Sequence, residues 1–306
     1  MVMRLQRVRS RPSPLQLREA LDGYVFIAPW VIGFVLFVAG PMLGSIALAM
    51  MRWDLIGPPQ WVGLANIRSL FTNRLVGLSL WNTAFYTFLS VPLTLAVSLG
   101  TALLLNQRIR FQSWFRTAFY LPSVMPAVAN AVLWFWILNP EIGLANSLLR
   151  MLGLPRLLWI YDPEQAKPTF VLMSLWGGGN TMIVFLAGLQ GIPQSLYEVA
   201  AIDGARWWQR FRYITLPMLS PVILFNLIVG IIASFQVFTN AFLLTNGGPQ
   251  NATLFTVLYI YRLGFEQANM GAASALAWLL FLIILVFSLL QLRLSRAWVY
   301  YEGGEP

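Results

Sequence analysis

The chain has 306 residues, of which 58% are hydrophobic and only 10% are charged, and its formal net charge is +9. Soluble domains carry roughly 25% charged residues, so this composition indicates a membrane protein. The chain has neither Cys nor His, which excludes disulfides and thiolate metal sites and removes the commonest general base and metal ligand. The positive charge does not predict nucleic-acid binding, because no basic stripe lies among aromatic residues in a soluble domain.

Six apolar runs are near or above the roughly 20 residues with which a helix crosses a bilayer. Backbone in lipid must satisfy its own hydrogen bonds, and a helix does so locally, so each run is predicted to be helical. The first run is too long for a cleavable signal peptide, and no small-residue cleavage motif follows it. We therefore predict an all-α membrane protein with six transmembrane helices, at residues 24–51, 83–105, 117–138, 170–189, 221–244 and 271–292.

The distribution of arginines predicts the orientation, because loops rich in Lys and Arg stay in the cytoplasm. The N-terminal tail, the second and fourth loops and the C-terminal tail hold more arginines than the alternate loops do. We therefore predict a cytoplasmic N-terminal tail at residues 1–23, a membrane domain at 24–298 and a cytoplasmic C-terminal tail at 299–306. The loop at 193–220, between the fourth and fifth helices, is then cytosolic.

The spans carry no Asp, Glu, Lys or Arg deep inside them. Ion-coupled transporters and intramembrane hydrolases need such groups, so both classes are disfavoured. No phosphate-binding loop of the form G-x-x-x-x-G-K-[ST] occurs, so energy for any transport work must come from another chain. A membrane-embedded transferase is a further alternative, but its carboxylates would have to come from scattered outer positions, which are Asp54, Glu141, Asp162, Glu164 and Glu266.

The fourth run contains a predicted weak point. Trp176 is followed by three glycines, residues 177–179, and then by Asn180 and Thr181. Each glycine weakens a helix by roughly 1 kcal/mol relative to Ala, and a membrane tolerates such a break where it lines a cavity or packs against protein. We predict that Trp176, Gly177, Asn180 and Thr181 line a substrate pathway, and helix packing alone is the alternative.

The outer half of the fifth run is also polar, with Ser234, Phe235, Gln236 and Asn240. Gln236 and Asn240 are four residues apart, so a continuous helix would place both amides on one face. Amides that bond hydroxyl groups, beside aromatic rings that stack on a sugar, suit a neutral ligand rich in hydroxyls. These four residues are predicted to line the pathway, whereas Asn226 is expected to bond between helices.

The 193–220 segment is more regular than an ordinary loop. Ser195 and Glu198 match the S-x-x-E capping box, which predicts a short helix starting at Ser195 with a face of small residues. Asp203 and Gly204 then form a turn. A second helix is expected from Ala205, with an apolar stripe and with prolines that end it before the fifth span; the stripe is Trp207, Phe211 and Ile214, and the prolines are Pro217 and Pro221.

Two interpretations of this segment remain open from the residues alone. An amphipathic hairpin resting on lipid headgroups would explain its Arg and Trp residues. Docking of a partner protein would also explain the small-residue first helix, because alanines allow close approach.

The stretch EVAAIDGARWWQRFRYITLPMLSP resembles the EAA loop of permease subunits of binding-protein-dependent ABC importers. Val199 departs from the family pattern, which has Ala there. WVGLANIRSLF, YLPSVMP, NPEIGLANSLL, GLQGIP and LLTNGGP resemble the branch of this family that imports sugars. The residues that match the EAA pattern are Glu198, Ala200, Ala201, Asp203, Gly204, Ala205, Phe211, Ile214, Leu216, Pro217 and Pro221.

The resemblance implies a complete mechanism for the chain. Two permeases, usually different, would form the pathway in a bacterial or archaeal cytoplasmic membrane, and two ATPase subunits would bind ATP and Mg²⁺ beneath them. The EAA loop would dock into each ATPase, with Glu198 at the contact, and an extracytoplasmic binding protein would deliver the solute. The chain itself would be a non-catalytic subunit with no cofactor and no metal. The resemblance implies a sugar or oligosaccharide substrate; glycerol-3-phosphate or another small polar solute is the alternative.

Overall fold

A computed structural model describes residues 14–107 and 109–300 of the chain. Most of the arginines in the predicted N-terminal tail lie outside these residues, as do the end of the C-terminal tail and Arg108. The described part is almost entirely helical, and its one β-hairpin has strands of two residues each. Four helical segments are long and apolar enough to cross a membrane, and two bent helix pairs bring the number to as many as six.

The first span is one continuous helical segment built from α1 (Pro14–Phe34), a π turn (Val35–Ala39) and α2 (Gly40–Ala49). The π turn comes just before Pro41, whose nitrogen cannot donate a hydrogen bond. None of the described side chains of α1 is buried. Only α2 packs on the rest of the chain, where it lies against the last helix, α14 (Met270–Ser295).

A short outer hairpin follows, with β1 (Met51–Arg52) paired antiparallel to β2 (Gln60–Trp61). Asp54 accepts hydrogen bonds from the backbone of Gly57 and Ile56 at 2.9 and 3.1 Å, and these bonds hold its pKa below the ordinary value. Helix α3 (Ala65–Thr72) leads into α4 (Arg74–Leu105), which is capped by the Asn73 side chain. Because of this cap, α4 begins nine residues before the predicted start of the second span.

The third predicted span is not one straight helix. Helix α5 (Gln112–Val124) and helix α6 (Ala127–Ile137) meet at an angle of 101°. Met125 adopts an extended conformation because Pro126 follows it, and a residue before proline is disfavoured in the helical region. The third span predicted over 117–138 is therefore a bent pair of helices and not one straight helix.

After α6 the chain forms α7 (Leu144–Met151) and then α8 (Pro163–Trp176), whose start is capped by Asp162. Helix α9 (Gly179–Gly191) continues the fourth span after a bend of 46°. The bend lies at Gly177 and Gly178, where the sequence predicts a weak point. The break in the fourth span is thus confirmed.

The segment after α9 contains α10 (Gln194–Ile202) and α11 (Trp207–Arg210), and α11 continues through a π turn (Phe211–Thr215) into α12 (Leu216–Phe235). The predicted stop at Pro217 and Pro221 is wrong. The π turn shifts the hydrogen-bond register, so that the Leu216 amide bonds the Phe211 carbonyl. Pro221 has no amide hydrogen to donate to the Pro217 carbonyl. That carbonyl instead accepts a hydrogen bond from the Ser220 hydroxyl at 2.6 Å.

The last part of the chain is less regular before the final span. A π turn (Ala241–Thr245) follows the end of α12, and α13 (Thr256–Tyr261) continues into another π turn (Arg262–Glu266) and then α14. Helix α4 lies at the centre of the fold, in contact with α8, α9, α12 and α13. One buried apolar cluster surrounds Phe255 and Leu258 at the end away from α10, and a second surrounds Phe185 and Leu219 at the end next to α10.

Candidate functional site

The N-cap of helix α10 lies two residues earlier than the capping box predicts. Its cap is Pro193, whose carbonyl accepts the Leu196 amide at 3.2 Å, and no side chain caps the helix. Ser195 therefore lies inside the first turn, and the predicted bonds of Ser195 and Glu198 to the cap are absent from the described contacts. Pro193 itself sets this start, because proline cannot continue the preceding helix.

The turn at Gly204 matches its prediction closely. Gly204 has φ +75, a conformation that costs other residues roughly 1–2 kcal/mol. Its amide bonds the Ala201 carbonyl at 3.1 Å, and the Ala205 amide bonds the Ala200 carbonyl at 2.8 Å. These two bonds form a Schellman motif, which satisfies the last carbonyls of α10 and reverses the chain.

The second helix starts at a new cap. The Arg206 amide donates to the Gln209 side chain at 2.7 Å, which satisfies one of the free amides at the start of α11. Trp207 and Phe211 stack with their ring centres 5.6 Å apart and nearly parallel. Ile214 packs instead on the buried cluster around Phe185 and Leu219, so the predicted apolar stripe is partly exposed and partly anchored.

A hydrogen bond joins the two helices of this segment. The Tyr197 hydroxyl lies 2.9 Å from the Thr215 hydroxyl, and Tyr197 also packs on the buried cluster that contains Leu219. Thr215 is the last residue of the π turn that leads into α12. Helix α10 is therefore fixed directly to the base of a membrane span.

The free surface of α10 is a mixture of charged and apolar residues. Glu198, Ala201, Asp203 and Gly204 are exposed, whereas Ala200 and Ala205 are half-buried in the turn. Val199 and Ile202 expose 58% and 85% of their surfaces. Leu216 and Pro217 are half-buried in the first turn of α12. An exposed isoleucine beside two carboxylates suits a protein partner better than open solvent.

A second feature is a cavity of about 220 Å³ between α4, α8, α9 and α12, called the polar cavity because seven of its twelve lining residues are polar, although most of its lining surface is apolar. Its polar lining consists of hydroxyls and one amide, with no charged residue: Tyr86, Ser90, Thr94, Ser174, Thr181, Asn226 and Ser234. Thr181 and Ser234 are thus brought together as predicted pathway residues. Asn226 also lines the cavity and bonds the Val222 carbonyl of its own helix at 2.9 Å, so its expected bond to another helix is not found.

The glycines next to this cavity have different surroundings. A Cβ atom on Gly178 would lie 2.5 Å from the Ser98 hydroxyl, and one on Gly179 would lie 2.7 Å from the Phe119 carbonyl. Both glycines are buried and allow α4 and α5 to approach closely. Gly177 is exposed, with no neighbour closer than 3.5 Å. Packing therefore explains two of the three glycines, and Gly177 is free to face a pathway.

Trp176 lines a larger and mostly apolar cavity of about 680 Å³ beside the glycine bend. Its ring meets that of Trp134 edge to face at 5.0 Å. Asn180, one turn further along, is exposed, and its side-chain oxygen lies 3.5 Å from the Ser123 hydroxyl. Trp176 and Asn180 thus lie on the side of the bend that faces α5 and α6, away from Ser234.

The two amides of the fifth run do not share a helix face. Helix α12 ends at Phe235, which is buried, and Gln236 forms its C-terminal cap. The chain is not helical at 237–238, and Asn240 precedes the next π turn. Packing decides this break, because the ring of Phe238 stacks on aromatic rings from later in the chain. Gln236 faces a groove between α12 and α14 instead of the polar cavity.

Within the described residues, no group of three or more His, Cys, Asp or Glu side chains could hold a metal ion. The outer carboxylates serve local roles. Glu141 pairs with Arg156, and Glu266 lies 3.7 Å from Arg262. The arrangement as a whole offers a cavity lined by uncharged residues inside the helices and an exposed pair of short helices at one end.

Residues 93–300 match the model of the binding-protein-dependent transport system inner membrane component family. The chain belongs to this family. It is 40% identical to the probable ABC transporter permease protein YesP of Bacillus subtilis, over 94% of both chains. It is 34% identical to the trehalose/maltose transport system permease protein MalF of Thermococcus litoralis, over 93% of this chain and 97% of that one.

The fold also matches that of a solved transporter. The crystal structure of a bacterial alginate ABC transporter, in complex with its alginate-loaded periplasmic protein, contains a chain that superposes with a TM-score of 0.82. The two are 27% identical, over 92% of this permease and 96% of that chain. The protein is therefore a multi-pass membrane permease subunit of an ABC importer, which works with an ATPase and a solute-binding protein.

Three residues of the permease escape prediction from sequence. Tyr197 and Thr215 lie 18 positions apart, and no local pattern indicates that their hydroxyls meet. Asn226 carries a polar signal, but a single amide in a span does not distinguish a cavity from a helix contact. In each case the information lies in how separate helices pack together.

Proposed function

We propose that this permease forms half of the translocation pathway for a sugar or oligosaccharide. The observation that carries the proposal is the polar cavity, whose seven polar side chains are all uncharged. Uncharged donors and acceptors suit a sugar, because each sugar hydroxyl can replace its hydrogen bond to water with a hydrogen bond to the protein. The substrates for which the relatives are named support the same class, since one permease serves trehalose and maltose and the solved transporter carries alginate.

The pathway includes the glycine bend beside this cavity. Thr181 and Ser234 line the polar cavity, Trp176 lines the larger cavity on the other side of the bend, and Gly177 is exposed at the bend. Asn180 extends the polar surface toward α5. Gln236 and Asn240 remain predicted pathway residues, although they lie beyond the end of α12 and outside the cavity.

Helix α10 is proposed as the contact with the ATPase. Its exposed surface, with Glu198, Ile202 and Asp203, would sit in a socket of the partner, and Phe211, Leu216 and Pro217 hold the second helix beneath it. The Schellman turn at Gly204 keeps the two helices in a compact pair. A push on α10 would therefore move the base of α12 as a rigid body.

The continuity of the helix supplies the route for this movement. From Thr215 to Ser234 the chain is uninterrupted helix, so the two residues are separated by roughly 28 Å at 1.5 Å per residue. The hydrogen bond between Tyr197 and Thr215 joins α10 to one end of this helix, and the polar cavity lies at the other end. Displacement of α10 would thus change the shape of the cavity wall that contains Ser234.

The remaining partners follow from this arrangement. We propose that a second permease, two ATPase subunits that bind ATP and Mg²⁺, and the surrounding lipid complete the transporter. Both termini and the 193–220 segment would face the cytoplasm. This chain would bind no cofactor of its own.

A phosphate-free substrate is favoured over glycerol-3-phosphate, because none of the residues lining the polar cavity is cationic. A phosphate needs Arg or Lys within reach. A membrane transferase has no support among the described carboxylates, which are spread over separate loops and bonded locally.

The test is a binding screen of the cognate solute-binding protein against a sugar panel, followed by ATPase assays of the assembled transporter. We expect one sugar class to bind and to stimulate ATP hydrolysis in the presence of the binding protein. Stimulation by a non-sugar solute, with no response to any sugar, would contradict the proposal.

A further inference from the structure

A row of polar side chains continues outward from the polar cavity. Asn82, Tyr86, Ser90 and Thr94 are spaced four residues apart on α4, so they lie along one helix face. Opposite them on α8, the Ser174 hydroxyl lies 3.5 Å from that of Thr94. Lys167 is two turns from Ser174, which places it roughly 10 Å further along α8 on the same face.

Lys167 is the single lysine of the chain, and its surroundings hold it in place. Its Nζ atom donates to the Asn82 Oδ1 atom at 3.3 Å and lies 5.2 Å from the centre of the Phe85 ring. The orientation of Asn82 is set independently, because its Nδ2 atom donates to two backbone carbonyls, those of Asn251 and Leu254, at 2.9 and 3.2 Å. The amide oxygen therefore faces the lysine.

No carboxylate lies within 4 Å of the half-buried Lys167 Nζ atom among the described residues. Glu164, three residues earlier on α8, forms no described ion pair with it, and Asp162 accepts the amides of Glu164 and Gln165 at 2.8 and 3.0 Å. An ammonium has three donors, and one neutral oxygen satisfies only one of them. A half-buried charge without a counter-ion is unfavourable, so pairing with an anion at this position would be stabilising.

We propose that Lys167 recognises a carboxylate of the substrate, which makes the substrate an acidic sugar such as an oligosaccharide with uronate residues. This inference rests on the proposed function. The neutral polar cavity would hold sugar hydroxyls while Lys167, at the outer end of the same row, pairs with a carboxylate. A single ammonium matches one carboxylate charge and would leave a phosphate dianion half neutralised.

A purely structural role for Lys167 predicts a different behaviour. If the lysine only supported Asn82 and the 251–254 loop, its loss would weaken transport of every substrate alike. Recognition of a carboxylate instead predicts that the loss depends on the charge of the substrate.

The experiment uses the complete transporter, with its partner permease, ATPases and binding protein, in proteoliposomes. The probes are trigalacturonate, its methyl ester, neutral maltotriose and glycerol-3-phosphate. The variants are Lys167→Met, Lys167→Arg and the matched control Arg150→Met, which removes an exposed cation on α7 whose side chain has no described partner.

We expect wild-type transporter to take up trigalacturonate with a KM about tenfold below that for the ester. Lys167→Met should raise the KM for trigalacturonate about tenfold and leave the ester unchanged, as expected for loss of one partly buried ion pair. Lys167→Arg should stay within about threefold of wild type. Arg150→Met should have no effect on either probe.

Several outcomes overturn the inference. Equal uptake of acid and ester, or equal weakening of both in Lys167→Met, would make the lysine structural. Uptake of maltotriose without trigalacturonate would reject an acidic substrate while leaving the proposed function intact. Uptake of glycerol-3-phosphate alone, or of none of the sugars, would contradict the proposed function itself.

Discussion

The hydroxyl of Tyr197 lies 2.9 Å from the hydroxyl of Thr215, and this bond joins the exposed helix α10 to the base of the continuous helix that reaches Ser234. Tyr197 enters the buried cluster around Leu219, whereas its neighbour Glu198 is exposed. Adjacent residues of one short helix thus face away from the protein and into the membrane domain. This arrangement is what a force-transmitting element requires.

The Tyr197 bond predicts loss of coupling when either hydroxyl is removed. Tyr197→Phe and Thr215→Val should each lower the free energy of unfolding by about 1 kcal/mol, the usual net contribution of one hydrogen bond. Each should also reduce the amount of solute transported per ATP hydrolysed. Because both variants remove the same bond, the double variant should be no worse than either one. Additive effects in the reconstituted transporter would show that the two hydroxyls act separately.

The surface of α10 predicts where ATPase association fails. Ile202→Asp and Glu198→Lys should leave the permease in the membrane but abolish copurification of the ATPase, because they change the exposed tip of the helix. Gln194→Lys, at the exposed opposite end of α10, is the matched control and should copurify normally. Retention of an intact, stoichiometric ATPase complex by both tip variants would remove α10 from the interface.

The turn at Gly204 predicts a strong dependence on glycine. Gly204→Ala should weaken ATPase association, since φ +75 costs a residue with a Cβ atom roughly 1–2 kcal/mol. Gly204→Pro should abolish association, because proline fixes φ near −65°. Gly191→Ala is a suitable control, since a Cβ atom there meets nothing within 4 Å. Wild-type copurification and uptake in Gly204→Pro would contradict the importance of the turn.

The glycine bend predicts different tolerances at neighbouring positions. Gly178→Ala should destabilise the permease by roughly 1–3 kcal/mol, because its Cβ atom would lie 2.5 Å from the Ser98 hydroxyl. Gly177→Ala, with no neighbour closer than 3.5 Å, should be nearly neutral. Combining Gly178→Ala with Ser98→Ala should recover part of the loss. Thermal aggregation in detergent measures all three, and equal midpoints for the two glycine variants would refute the packing argument.

The polar cavity predicts which residues control transport. Ser234→Leu and Thr181→Leu should reduce uptake by at least about tenfold, because they replace polar walls with bulk that excludes a hydroxyl-rich solute. Gln236→Leu, on the groove between α12 and α14, should reduce uptake much less, because Gln236 lies outside the polar cavity. Assembly with the ATPase serves as the folding control. Loss of uptake in Gln236→Leu, with normal uptake in Ser234→Leu and Thr181→Leu, would place the pathway on the α14 side of α12 and contradict this prediction.

Several features of the fold can be predicted from short stretches of sequence. The spans follow from apolar length, and the bend at Gly177 follows from three successive glycines. Gly204 predicts a turn at its position because few other residues adopt a positive φ. Each of these depends on the backbone conformation of a few neighbouring residues, so the local pattern carries the information.

Proline is the case in which the local signal misleads in both directions. Pro126 ends α5 and produces a bend of 101°, whereas Pro217 and Pro221 lie inside a continuous helix. The difference comes from what satisfies the backbone. A π turn and the Ser220 hydroxyl supply hydrogen bonds around the later prolines, and neither device is visible in the pattern of prolines.

By itself, the sequence determined the membrane class, the positions of the spans and the EAA resemblance, because apolar length, glycine and motif identity are properties of consecutive residues. Only the tertiary structure decided that Gln236 and Asn240 occupy separate elements, that Thr181 meets Ser234, and that Tyr197 meets Thr215. Those relationships join residues from different helices. They arise from side-chain packing and hydrogen bonding over long sequence distances, which no local pattern encodes.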